Sequence, residues 1–422
     1  MSIGYIQNGD FDSFQHNIAV IGGGAAGMVA AGTAIRYGAR VTIFEHSNML
    51  GKKLGITGKG RCNVTNNCQT QEFLENVTKN PRFLYAALSA FDTADAMALF
   101  EELGVKLKTE RGKRVYPESD KAKDIVMALR RYSEDAKIIF EDVRKITRDE
   151  NGHFLINANA NHLFDKVIIA TGGKSYPLTG SDGSGYKLAM MLGHKITELS
   201  PSLIPLTSSS PLCKEMQGLS LKNVSISITD ETGKELYTDF GEMMFAHFGV
   251  TGPVILSASS RIRGMDISKM TLHIDLKPAL DEKTLDARLL SDFKKQINRD
   301  YQNSLSALLP AKMIEPFIRL TKIDPRKKVN NITKEERRII LNTLKSFDIP
   351  LKGLRPIEEA IITSGGVDVK EISAKTMESK ITPGVYFAGE IIDVDAYTGG
   401  FNLQIAYSTG FLAGKSAAEQ FD

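Results

Sequence analysis

The chain has little cysteine, no long apolar run and almost no net charge, and each shortage removes a class of function. Its 422 residues include only Cys62, Cys68 and Cys213, an odd number with no C-x-x-C pair. That usage fits a reducing compartment and argues against both a disulfide framework and a cysteine redox relay. No stretch of about 18 apolar residues occurs. The opening MSIGYIQNGDFDSFQH lacks the basic start and apolar stretch of an export leader. The expectation is a cytoplasmic protein with no membrane partner. A formal charge of +3 gives no global field of the kind a dedicated nucleic-acid binder uses, so nucleic acid is disfavoured as a partner. Internal repeats, low-complexity tracts, metal motifs and serine-hydrolase motifs are also lacking.

What is there is an ordinary globular mixture, 42% hydrophobic and 24% charged, long enough for two or three domains with a large core. From Asn17 a short apolar strand (NIAVI) runs into a glycine cluster, a small-residue helix to about Tyr37, and a second strand (RVTIFE) ending at Glu45. This is a βαβ opening. Helical periodicity returns over 81–103 and 121–134. Strand-like stretches follow at 137–140, 154–158 and 166–170, able to extend the sheet or to cover it. The Ser- and Pro-rich stretch 200–211 marks a boundary. Residues 219–276 alternate apolar and polar positions, which predicts an antiparallel sheet with one solvated face. From 281 to 347 the pattern turns helical and charged, as in a cap. Short apolar strands then return at 362–369 and 384–394, before a closing helix over 404–419. The division expected is a first domain over 1–199, a β-rich insert over 200–277, a helical cap over 278–350, and the remainder of the first domain over 351–422.

The glycine cluster supplies G-x-G-x-x-G as Gly22, Gly24 and Gly27, with Gly23, Ala25 and Ala26 between them. Gly22 permits the tight turn, Gly24 removes a Cβ from the path of a pyrophosphate, and Gly27 lets the helix pack close to the strand. The helix amino terminus offers free N–H groups and a positive dipole end to the phosphates. Glu45, with His46 beside it, ends the next strand, where its carboxylate can accept hydrogen bonds from a ribose diol. The unit therefore binds a dinucleotide. The loop alone does not separate FAD from NAD, because both carry the ADP half.

Three further blocks carry a resemblance: GKKLGITGKGRCNVTN (51–66), ATGGKSYPLTGSDGSGYKLA (170–189) and FAGEIIDVDAYTGGFNLQIA (387–406). With the glycine loop they make the chain, from Asn17 almost to its end, similar to the BaiN-like NAD(P)/FAD-dependent oxidoreductases, also known as aminoacetone-oxidase-like flavoproteins. The resemblance implies an α/β fold, a discontinuous Rossmann-like FAD-binding domain interrupted by an antiparallel β insert and a helical cap, with FAD bound. It points to Lys53, Leu54, Gly60, Arg61, Cys62 and Asn63 in the second block, Ala170, Thr171 and Gly172 in the third, and Gly389, Glu390, Asp393, Gly400, Asn402 and Leu403 in the last. Lys53 and Arg61 are cations beside a diphosphate. Cys62 could line the flavin but reads more readily as a small buried hydrophobe, and Val143 reads equally as a residue passing the adenine or as core. The helix starting near Asn402 aims backbone N–H groups at the flavin ring, where negative charge grows on reduction.

A bound flavin carries the electron chemistry, so the expected activity is an FAD-dependent oxidoreductase acting on a small organic molecule. No second G-x-G-x-x-G unit occurs, so NAD(P)H enters only as a transient donor and oxygen is an alternative redox partner. The candidates for acid/base or substrate contact are His247, Glu390 and Tyr397. Reductase and amine-oxidase types stay open, as does the oligomeric state. Two rivals come from other classes. One is a flavin-dependent RNA-modifying or RNA-binding protein, prompted by the basic stretch 322–345 but weakened by Glu335, Glu336 and the lack of interleaved aromatics. The other is a non-catalytic flavin-binding regulator.

Overall fold

The computed structural model describes residues 16–419. The chain divides into two compact units, one formed by Met1–Ser202 with Ile357–Asp422 and the other by Leu203–Pro356.

The first unit is built on five parallel strands: β1 (Asn17–Ile21), β2 (Arg40–Phe44), β3 (Lys137–Ile139), β4 (Lys166–Ile169) and β5 (Val385–Phe387). Their order across the sheet is β3-β2-β1-β4-β5. This is the order of a dinucleotide-binding doubly wound fold, whose direction reverses between β1 and β4. The register pairs Ile21 with both Ile169 and Phe44, so the three central strands end level with one another. Those strands are short and nearly all apolar because both faces of the sheet are covered. Ile18, Ala19, Val20, Val167, Ile168 and Ile169 are fully buried.

Helix α1 (Ala25–Arg36) is rich in alanine, the strongest helix former, and breaks at Tyr37 and Gly38, where φ reaches +87°. The closing helix α2 (Phe401–Ala418) packs on it through two glycines one helical turn apart. A Cβ at Gly410 would lie 2.6 Å from the Ala26 carbonyl oxygen, and one at Gly414 would lie 2.3 Å from that of Ala30. Only glycine allows this approach, so the last segment of the chain fixes the helix that starts at the glycine loop.

The stretch with helical periodicity over 81–103 forms a single 3-10 turn (Pro81–Leu84) and two short helices, Tyr85–Ala90 and Thr93–Glu102. The break falls at Asp92. Its carboxylate accepts from the N–H groups of Ala94 and Asp95, while Asp95 accepts from the Asp92 N–H at 2.9 Å, a reciprocal cap that starts a new helix. Phe154–Asn157 does not extend the main sheet; it pairs antiparallel with Lys145–Arg148 and Asn161–Phe164 in a sheet of its own.

The second unit is a closed six-stranded barrel with helices. Around the barrel run Leu206–Ser208, Gly249–Thr251, Glu235–Ala246, Ser220–Thr229, Thr271–Asp275 and Phe347–Leu354, the last pairing back to the first. The sequence pattern predicts an antiparallel sheet within 219–276, and Phe347–Leu354, from the end of the stretch expected to be helical up to 347 and part of the cap up to 350, adds the strand that closes it. That strand alternates strictly, with Phe347, Ile349 and Leu351 turned inward, and closure removes the exposed edges. The helices Glu282–Lys295, Ala311–Thr321 and Lys334–Lys345 share the barrel's core through Leu285, Leu289, Phe317 and Leu344. Among the described residues no single helix is long and apolar enough to cross a membrane, and no group of side chains is arranged to hold a metal.

Candidate functional site

A cleft of about 1340 Å³, counted to its open mouth, runs along the carboxyl ends of the parallel strands, and its walls come wholly from the first unit. Ligands are expected there, since the strand order reverses between β1 and β4 and leaves a crevice. Gly22 follows β1 and Ala170 follows β4, and the two segments touch so closely that a Cβ at Gly22 would lie 2.5 Å from the Ala170 carbonyl oxygen. Gly22 also has φ +104°, a conformation strained for any residue with a side chain. Gly27 lies one turn into α1, where a Cβ would sit 1.9 Å from the Gly22 oxygen. Gly24 is different. A Cβ there would meet nothing within 4 Å, so the space in front of the loop is open to the cleft.

Glu45 ties the loop to β2. Its Oε2 accepts from the Gly23 N–H at 2.8 Å and its Oε1 from the Ser47 N–H at 2.7 Å, which leaves further lone pairs on both oxygens for a diol. His46 stands beside it, across from Gly180 in the loop that follows Thr171. The Thr171 hydroxyl is buried against the cleft with no protein partner, a polar atom left for a ligand or water.

Deeper in the wall, four chain segments meet in one polar cluster. Lys53 Nζ donates to Glu390 Oε2 at 2.9 Å and to Ser175 Oγ at 2.8 Å. The other Glu390 oxygen accepts from the Ser175 hydroxyl at 3.1 Å and from the Thr363 N–H at 2.8 Å. Lys53 and Glu390 are each about a fifth exposed, so their charges are partly desolvated and face one another beside the cleft. The ammonium's remaining N–H can serve a ligand.

Of the residues singled out from sequence, Gly22, Gly23, Gly24, Ala25, Ala26, Glu45, His46, Lys53, Leu54, Val143, Ala170, Thr171, Gly172, Gly389, Glu390, Asn402 and Leu403 line the cleft. The structure does not bring Gly60, Arg61, Cys62, Asn63, Asp393, Tyr397 or Gly400 into its wall. Arg61 is committed elsewhere: it bonds Asp120 at 2.8 Å and Glu110 at 2.5 Å and lies over the Tyr116 ring, which pins the hairpin 107–117. Cys62 is fully buried at φ +59°, and burial pushes its thiol up to about 12. Asp393 is paired with Lys79 at 2.7 Å. Gly400 starts α2 at φ +96°, where a Cβ would strike the Thr65 carbonyl. Asn402 lines the cleft, yet its amide is taken by backbone: Oδ1 accepts from the Ala396 N–H, and Nδ2 donates to the Ala396 and Tyr397 carbonyls. His247 belongs to the barrel unit, where its ring meets Phe248 edge-on at 5.0 Å.

Sequence reading missed Ser175 and Thr363, which complete the Lys53–Glu390 cluster, and Ile361 and Ile362 in the wall. The Gly172–Gly183 spacing signals a loop near Ser175. Nothing local marks Thr363, which reaches the site only because the chain returns after a long insert.

A parallel sheet of this order, a glycine loop at its switch point and a carboxylate ending the second strand define a dinucleotide-binding Rossmann domain. A family model described as the HI0933-like protein Rossmann domain matches residues 16–416, and the chain belongs to that family of FAD-binding oxidoreductases. It is 30% identical to a 3-dehydro-bile acid delta(4,6)-reductase of Clostridium scindens, over 96% of this chain and 100% of the relative. It is 31% identical to a ribosomal RNA dihydrouridine synthase of Escherichia coli, over 93% and 95%. Among solved structures, the 3-ketosteroid-delta4-(5alpha)-dehydrogenase of Rhodococcus jostii RHA1 shares the fold, with a TM-score of 0.51 at 14% identity, over 97% of this chain and 98% of that one.

The residues fit FAD. The open space at Gly24 and the α1 amino terminus would hold its diphosphate, Glu45 its ribose, and Lys53, Thr171 and Glu390 its more distant polar groups.

Proposed function

We propose that the protein is a flavin-dependent reductase that saturates a carbon–carbon double bond conjugated with a carbonyl, with NAD(P)H as the donor. FAD held in the cleft supplies the two-electron chemistry. The chain's own part is to bind and orient that group, with the hydrogen-bonded Lys53 ammonium and Glu390 carboxylate at the cleft wall. One observation carries the reading: over more than nine-tenths of its length the chain is similar to relatives of dissimilar substrates whose names describe one transformation. A delta(4,6)-reductase of a 3-dehydro bile acid saturates ring double bonds in line with a ketone. A dihydrouridine synthase saturates the uracil C5–C6 bond in line with the C4 carbonyl.

The substrate is read as a small free molecule or as a uracil within RNA, and the second reading has its own support. Residues 203–356 contain 24 lysines and arginines against 18 aspartates and glutamates, whereas the rest of the chain contains 29 against 32. The near-neutral total therefore conceals a basic unit.

The test is an anaerobic titration of the yellow protein with NADH and then NADPH, followed by addition of a 4-en-3-one steroid or of ribosomal RNA transcribed in vitro. The reading expects loss of the flavin band near ~450 nm and its return with one of the two acceptors. A flavin that neither nicotinamide bleaches, but that an amine does, identifies an oxidase and refutes the proposal. A flavin that nothing reduces leaves a binding protein.

A further inference from the structure

We propose that the basic face of the barrel unit, built from the end of the helix Glu282–Lys295 and the segment 322–338, docks the phosphate backbone of RNA. The inference rests on the RNA form of the reading above.

The unit's excess of positive charge is concentrated in one stretch. Residues 278–346 contain 15 lysines and arginines against 9 acids, while the remainder of 203–356 is balanced at nine of each. Within that stretch two cationic runs lie far apart in sequence, and the backbone joins them. The Val329 N–H donates to the Arg299 carbonyl at 3.0 Å, the Tyr301 N–H to the Lys327 carbonyl at 2.9 Å, and the Gln302 N–H to the Pro325 carbonyl at 3.0 Å. Lys294, Lys295 and Arg299 thereby come to the same region as Arg326, Lys328 and Lys334, and all six are exposed.

The acids that interrupt the run are largely occupied. Glu336 pairs with Lys327 at 2.6 Å and also accepts from the Thr333 N–H at the start of the helix Lys334–Lys345. Asp300 pairs with Lys328 at 2.8 Å, Asp286 with Arg337 at 2.7 Å and Asp292 with Arg288 at 3.6 Å. Asp324 accepts from the Arg326 N–H as a turn cap, and Asp324 and Glu335 are the exposed acids of the run that make no ion pair among the described residues. Among the described residues Lys294, Lys295, Arg326 and Lys334 make no ion pair, though Lys334 interacts electrostatically with its neighbour Glu335. The face presents no aromatic platform, since Tyr301 is fully buried. It therefore suits phosphates and gives no means of stacking bases.

The surface makes a quantitative demand. Each phosphate neutralised contributes about 0.7 to 0.9 to the slope of log affinity against log salt, so roughly five contacts weaken binding more than a hundredfold between 50 and 200 mM salt. Two holoprotein variants separate this face from bulk charge. One is Lys294→Gln, Lys295→Gln, Arg326→Gln and Lys334→Gln together. The other makes the same change of charge at exposed positions of the first unit, Lys106→Gln, Lys123→Gln, Lys187→Gln and Lys375→Gln.

Filter binding of ribosomal RNA transcribed in vitro is measured across salt, with circular dichroism to verify folding. The proposal expects the first variant to lose at least about tenfold in affinity at 50 mM salt and about 3 in slope, and the second to stay within about twofold. Equal losses in the two variants, or no RNA binding by the parent protein, overturn it. Binding needs no turnover, whereas bleaching by NADPH and reoxidation by a free 4-en-3-one need no RNA, so failure of the docking surface and failure of the reductase reading are scored separately.

Discussion

Gly410 and Gly414 lie on one face of α2, and replacing each with alanine should separate what holds the fold from what holds the cofactor. Alanine in a helix interior is intrinsically better than glycine by about 1 kcal/mol, so propensity alone predicts a gain. Contact geometry opposes it. The new methyl would stand 2.3 Å from the Ala30 oxygen in Gly414→Ala and 2.6 Å from the Ala26 oxygen in Gly410→Ala, well inside van der Waals contact, and the obstacle in each case is backbone. The helices must part by several tenths of an ångström, and overpacking of this kind costs about 1 to 3 kcal/mol. Because the obstacle is backbone, the cost falls in the upper part of that range, about 2 to 3 kcal/mol, and the net loss of about 1 to 2 kcal/mol should lower the midpoint of thermal unfolding by roughly 2 to 4 °C in both variants. They should differ in cofactor binding. Ala26 lines the cleft beside the glycine loop, while Ala30 lies one turn further along α1 and outside the wall. Gly410→Ala should therefore weaken FAD by roughly tenfold, about 1.4 kcal/mol. Gly414→Ala should stay within about twofold. Scanning fluorimetry of the apoprotein gives the first quantity, and quenching of flavin fluorescence gives the second. Two variants of unchanged midpoint, or a larger FAD loss in Gly414→Ala, would show that α2 does not set the position of the phosphate loop.

Three further outcomes follow from particular side chains. Arg61→Ala should loosen the 107–117 hairpin, seen as faster hydrogen exchange there, and leave FAD affinity within about twofold; a tenfold FAD loss would instead make Arg61 a phosphate ligand. His194 accepts from the Ser379 hydroxyl through Nε2 at 2.8 Å and meets Glu371 at 3.2 Å through Nδ1. Burial holds His194 below the ordinary histidine range, with Glu371 opposing the shift. Because the folded state disfavours the proton, its contribution is complete above the unfolded pKa of about 6.5 and is lost as pH falls below it. The gap in unfolding midpoint between the parent protein and His194→Gln should accordingly narrow from pH 7.5 to pH 5.5, and a constant or widening gap refutes the assignment. Burial pushes the Cys62 thiol up to about 12, and those of Cys68 and Cys213 to about 11. Iodoacetamide at pH 8 should label none of the three in the folded protein and all three in guanidinium, as read by mass spectrometry; labelling of folded Cys62 would mean that its loop opens.

How much of this was legible beforehand depends on how locally each feature is encoded. The glycine loop, β1, β2 and Glu45 are contiguous, and a turn of that kind needs residues without a Cβ at fixed positions, so the pattern is visible in one short stretch. The break at Asp92 was visible in principle, since an acid three residues before a second acid is a capping signal, but the apolar periodicity on either side of it masks the stop. Phe347–Leu354 alternates plainly enough to be a strand. Its role in closing the barrel depends on pairing with Leu206–Ser208 across almost the whole insert, and no local pattern specifies that partner. The Lys53 cluster has the same difficulty, because Ser175, Thr363 and Glu390 come from segments more than a hundred residues from Lys53. Charge is averaged for a related reason. A total of +3 averages a basic unit with a slightly acidic one, and Glu335 and Glu336 look like interruptions until the structure shows Glu336 bonded to Lys327. What a site does is carried by groups that the fold brings together from a distance. A composition or a motif reports only on groups that are already neighbours in the chain.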